Sequence, residues 1–118
     1  MLGNPRAYAE SNSINEVLPL EVQLDLHMSE LGRLLLINDN VGIIDLIARI
    51  RSLDAEIPNA LYFLEATALH KTGNALASQD RLLRYLQNTG REGRYYEKAT
   101  ELLLTVRAEA AIQETSRK

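Results

Sequence analysis

Residues 59–74 read NALYFLEATALHKTGN, and this stretch decides the fold. Leu61, Leu64, Ala68 and Leu69 recur at helical spacing on one face, with Tyr62 and Ala66 beside them. Pro58 just ahead stops one helix and starts the next. Gly73 closes the stretch as a left-handed cap would, and Asn74 can cap the following helix. The spacing predicts a helix over 59–72. Its phrase returns in both directions at an interval of 34 residues. Met28, Leu31, Gly32 and Leu35 lead to Tyr62, Glu65, Ala66 and Leu69, then to Tyr96, Ala99, Thr100 and Leu103. On the same ruler Asp39-Asn40 precedes Gly73-Asn74. A period of this length on helical patterning predicts stacked helical hairpins.

Working outward, helices are expected at 20–37, 41–53, 59–72, 75–88 and 93–112. Pro19 suits the first turn of the first. Residues 17–26 alternate apolar and polar, which alone reads as strand, but no partner strand is evident and the spacing 24, 28, 31, 35 is helical. The reading is a flexible arm over 1–13, one domain over 14–113 and a disordered tail over 114–118. Within the domain, units at 25–58 and 59–92 precede a capping helix at 93–112. The loops are short, so neighbouring helices run antiparallel.

Composition agrees with an all-α domain. The 118 residues are 46% hydrophobic and 25% charged, with no tryptophan and three prolines. Such a chain buries roughly two thirds of its unfolded surface. A formal charge of −3 argues against the basic face of a nucleic-acid binder. With no cysteine there is no disulfide, thiolate metal site or cysteine nucleophile. The polar N-terminus lacks a signal-peptide core, and no apolar run is long enough to span a membrane. These features point to a soluble, cytoplasmic protein. A periplasmic location would make the chain a processed or excised fragment.

The phrase resembles the first helix of the tetratricopeptide repeat, W-x2-L-G-x2-Y. Met28-x2-Leu31-Gly32-x2-Leu35 matches its spacing with aliphatics in both aromatic slots. Tyr62 and Leu69 fill those slots in the second unit, where Glu65 replaces the leucine and Ala66 the glycine. Gly73-Asn74 is similar to the family's inter-helix turn. The second helices match less well, with Ser78 and Ile44 in the alanine site.

The resemblance implies a short right-handed superhelix of about five helices, in which Gly32 and Ala66 let paired helices approach closely. Its inner groove would hold a peptide or helix of a partner protein. The inner-facing slots would include Phe63, Thr67 and His70, with Ser29 and Arg33 as first-unit counterparts. Phe63, the only phenylalanine, stands off the core stripe and is the expected anchor. The family's carboxylate clamp of lysines and asparagines is absent at these slots. Exposed array ends would favour self-association into a homo-oligomer, or docking onto a larger assembly.

Signals for chemistry are thin. His27 and His70 lack the partners of a metal site. Glu65, inside an apolar face, reads either as a buried general acid or base, or as a carboxylate that faces the concave groove or pairs with a nearby arginine. Arg81, Arg84, Arg91 and Arg94 read either as an anchor for an acidic partner or as ordinary charge compensation. No nucleophile elbow, phosphate loop or carboxylate pair is present, so no catalytic residue, metal or cofactor is expected. The expectation is a non-catalytic interaction scaffold. The alternative is a helical accessory or regulatory domain of an enzyme or cell-envelope complex whose chemistry lies on another chain.

Overall fold

A computed structural model describes residues 18–117, and among them the chain is all-helical, with no strand. Five α-helices follow in order: α1 Leu20–Leu36, α2 Asn40–Arg51, α3 Ala60–Lys71, α4 Ala75–Thr89 and α5 Tyr96–Arg117. A 3-10 turn, Gly90–Glu92, joins the last two. Each helix packs against the next, and the molecule measures 52 × 35 × 25 Å. Its radius of gyration of 16.9 Å exceeds the roughly 13 Å of a compact domain this size, so the helices form an elongated row. None of the described helices is long and apolar enough to cross a membrane.

The alternating stretch before Leu26 is helical from Leu20. The Pro19 carbonyl accepts from the backbone N–H groups of Val22 and Gln23, both at 3.0 Å. With no neighbouring strand, the helix is the conformation that satisfies its own backbone. The alternation leaves Val22 and Leu26 exposed. The arm expected at 1–13 lies outside the described residues. The tail expected to be disordered from 114 is instead helical through Arg117. Ala110 buries one turn earlier, and Gln113 Nε2 donates to the Gly73 carbonyl at 2.9 Å, tying the end of α5 to the α3–α4 turn.

The two hairpin turns are copies of each other. Asn38 and Gly73 both take positive φ, 57° and 87°. After each, the chain makes the same 6→1 bond, Asp39 N–H to Leu34 O at 3.0 Å and Asn74 N–H to Leu69 O at 2.9 Å. Asp39 Oδ1 then accepts from Gly42 N–H at 3.0 Å, and Asn74 Oδ1 from Ala77 N–H at 3.2 Å. A Cβ at Gly42 would meet the Asp39 carboxylate at 2.6 Å, so a larger residue there would push the capping side chain aside; the second turn accommodates Ala77 at the same position. These pairs lie 35 residues apart, one more than the interval read from the first helices. Burial follows the longer interval: Leu31 with Ala66, Leu34 with Leu69, Ile43 with Ser78, Ile47 with Leu82 and Ile50 with Tyr85 are all buried. At 34, Ile47 and Ile50 would align with Arg81 and Arg84, which are not buried. Gly32 is not a close-approach site, since it is exposed and an added Cβ would meet nothing within 4 Å.

The core has two parts that share α3. Leu31, Leu34, Ile43, Ile47, Ile50, Leu61 and Ala68 join α1, α2 and α3. Phe63, Ala66, Leu82, Tyr85, Ala99 and Val106 join α3, α4 and α5. α3 is thus buried on two sides, as befits the middle of a row. Ser78 Oγ donates to the Ala66 carbonyl at 2.7 Å across the tight α3–α4 contact. Ala99, not Thr100, takes the buried position at the start of α5.

Candidate functional site

Between the two cores, successive turns of α3 present Phe63, Leu64, Thr67, Ala68 and Lys71 along one stripe, its apolar members shared with the cores on either side. The turn end of the α1–α2 hairpin closes one side with Leu35 of α1, Asn38 of the turn and Asn40 and Ile43 of α2, and Lys98 of α5 closes the other. Together they enclose a groove of about 240 Å³. Its floor is apolar, and the Thr67 hydroxyl is already spent on the Phe63 carbonyl at 3.0 Å. Lys71 and Lys98 stand exposed at the rim, and neither has an ion-pair partner among the described residues. The groove can therefore seat an apolar side chain flanked by carboxylates.

Of the residues the sequence nominates for partner binding, Phe63 and Thr67 line this groove. Phe63 is nonetheless a core residue and not a free anchor: it is 8% exposed and stacks on Tyr95 with ring centroids 4.5 Å apart. Tyr85 leans on it at 5.9 Å, and the Tyr85 hydroxyl accepts from Tyr95 N–H at 2.8 Å. Phe63 thus braces the start of α5. His70 is drawn instead to Glu109 of α5, at 3.2 Å. Ser29 is exposed on α1. Arg33 pairs with Glu30 at 2.5 Å beside a separate hollow that also holds Asp39, Asp45 and Arg49. The Arg33 hydrogen bond holds the Glu30 carboxyl below the usual carboxylate range. Ser29 and Arg33 therefore do not join Phe63 and Thr67. The lysines and asparagines at the groove rim are Asn38 of the α1–α2 turn, Asn40 at the start of α2, Lys71 at the end of α3 and Lys98 of α5, none of them among the inner-facing residues nominated by the sequence.

The four arginines divide. On the side of α3 opposite the groove, Glu65 is 2% exposed. Arg51, the last residue of α2, donates to both its oxygens at 2.6 and 3.0 Å, and Arg81 Nε donates at 2.9 Å. Arg81 also pairs with Asp80. The Arg51 guanidinium is held above its ordinary value by the Glu65 carboxylate. Arg84 stacks over the Tyr62 ring at 5.8 Å, and these groups surround a hollow of about 120 Å³. With three charge-assisted donors on its carboxylate, Glu65 is a brace between helices, the pairing with arginine that its position allowed. Arg91 and Arg94 lie elsewhere, around an open concavity of about 500 Å³ at the start of α5, with Arg94 over the Tyr95 ring at 5.5 Å.

Comparison with family models, curated proteins and solved structures returns no match.

Proposed function

We propose that the chain is a non-catalytic protein-interaction scaffold of the tetratricopeptide kind, whose receiving surface is the groove along α3. The observation that carries this reading is the groove itself. It is an apolar floor bounded by three separate elements, with lysines at the rim that no carboxylate of the described residues neutralises. Two hairpins with identical turns in an elongated row support a short superhelical array, with α5 in the first-helix position of a third unit. The exposed Leu36, Ile37 and Val41 around the α1–α2 turn and Leu104 and Ile112 on α5 support a second role, docking as an accessory domain onto a larger assembly or onto another copy.

A photo-crosslinking amino acid placed at Thr67 in the native host tests the reading, with the same group at exposed Ala48 of α2 as the control. A discrete adduct from Thr67 only, identified by mass spectrometry and lost when Lys98 is changed to Glu, is the expected result. Equal labelling from both positions, or none from Thr67, defeats the assignment of the groove.

A further inference from the structure

We propose that the groove reads a directional, acidic peptide: one apolar side chain seated between Leu35 and Thr67, followed by carboxylates that run over Lys98 toward Arg94 and Arg91. This rests on the groove being the receiving surface, and adds to it the chemistry and polarity of the occupant.

Lys98 lines both the α3 groove and the open concavity at the start of α5, so the two adjoin at this side chain and an extended segment laid across it would span both. Along this tract the character changes from apolar, at Leu35, Ile43 and Phe63, to cationic, at Lys98, Arg94 and Arg91. None of these three cations has an ion pair among the described residues, whereas Arg33, Arg51 and Arg81 all do. One carboxylate, Glu97, lies in the tract and leaves the cations in excess. In a chain of net charge −3 such an unpaired cluster is a local reversal of the overall field. It attracts an acidic partner, while the surrounding negative charge works against long polyanions. Tyr95 and Tyr96 offer apolar surface between the cationic heads. Carboxylates spaced along a peptide fit this arrangement.

The test is fluorescence anisotropy of the full chain with a labelled synthetic peptide carrying one leucine followed by a run of glutamates, against the same residues in reverse order. The expected result is tighter binding of the forward peptide. Lys98→Glu and Arg94→Glu, both at exposed positions, should each weaken it about tenfold, and the loss should shrink as salt is raised. Arg49→Glu, outside both concavities, should leave it unchanged. Equal affinity for the two peptides, or indifference to both charge reversals, overturns the proposal. If Thr67→Trp still abolishes binding in that case, the groove stands as a receiving surface and only the acidic, directional reading falls. Failure of the forward peptide to bind, or tighter binding of a single-stranded oligonucleotide, also overturns it.

Discussion

Replacing Glu65 by alanine should be among the most damaging single changes away from the apolar core. Its carboxylate is 3% exposed and takes three donors from two arginines, so the change removes three charge-assisted bonds together. Breaking a buried pair from one side costs about 3–5 kcal/mol. Here the stranded arginines are 32% and 29% exposed and can turn partly to water. The cost should therefore fall to about 2–3 kcal/mol, or roughly 8–12 °C in melting temperature for a chain of this size. Arg51→Ala should cost more than Arg81→Ala, because it removes two of the three donors and leaves the buried carboxylate with one.

Arg51 ends α2 while Glu65 belongs to α3, so this contact joins the first hairpin to the second. In a row of helices, stability is the sum of unit and interface terms, and weakening one interface uncouples the units on either side. Urea unfolding followed by far-UV circular dichroism should show a lower midpoint and a broader transition for Arg51→Ala. A double-mutant cycle between Arg51 and Glu65 should return a coupling of about 1–2 kcal/mol. If Glu65→Ala unfolds within about 0.5 kcal/mol of the parent, or the cycle gives strict additivity, the brace is not formed in solution and the reasoning fails.

Phe63→Ala should cost about 3–5 kcal/mol, since it empties the contact with Tyr85 and Tyr95 that seats the start of α5. A variant as stable as the parent in the same urea assay would return Phe63 to the surface. The paired turns predict opposite signs: Asn38→Gly should stabilise by about 0.5 kcal/mol, and Gly73→Ala should destabilise by about 1–2 kcal/mol. Equal signs would show that one turn does not hold its left-handed residue. The Glu30 carboxyl should titrate below the usual carboxylate range because Arg33 hydrogen-bonds its charged form. A lowered folded value means that the pair stabilises above the ordinary carboxylate range and its contribution is lost as pH falls through the lowered value. Carbon-detected NMR titration should show Glu30 returning to the ordinary range in Arg33→Gln, and an identical curve in both proteins would exclude the pair.

Helices and turns are legible in this chain because their signals are local. Asp39, Asn74 and Gly73 each act on residues within one turn, so capping residues and breakers sufficed to place every described helix to within a few residues, apart from the C-terminal end of α5. The end of α5 escaped because Gln113 is held by a carbonyl 40 positions away, a bond that composition does not announce. The groove was legible in part. Thr67 and Phe63 follow from the spacing of α3, but Lys98 enters from α5, and its position depends on Tyr95 folding back onto Phe63. The same fold-back explains why Phe63 looks misplaced in the sequence. A helix with one neighbour shows one apolar stripe, whereas α3 has two core faces, and a residue off the first stripe belongs to the second.

The sequence phrase aligns the two hairpins at 34 residues, whereas buried positions and turns both align at 35, and the packing shows why the phrase misleads. At equivalent positions the first hairpin carries Leu31 and Ile43, and the second carries Ala66 and Ser78. The small pair lets α3 and α4 come close enough for Ser78 Oγ to reach the Ala66 carbonyl, and these helices pair along much more of their length than α1 and α2. The large pair holds the first hairpin apart and fills the gap with leucine and isoleucine, which makes the glycine of its phrase redundant and leaves Gly32 in solvent. The two hairpins therefore share a turn and a buried pattern but not a spacing. A phrase built on glycine and large residues aligns them one position out, on Leu31 with Glu65, and in doing so sets a core leucine against the carboxylate that braces the opposite side of α3.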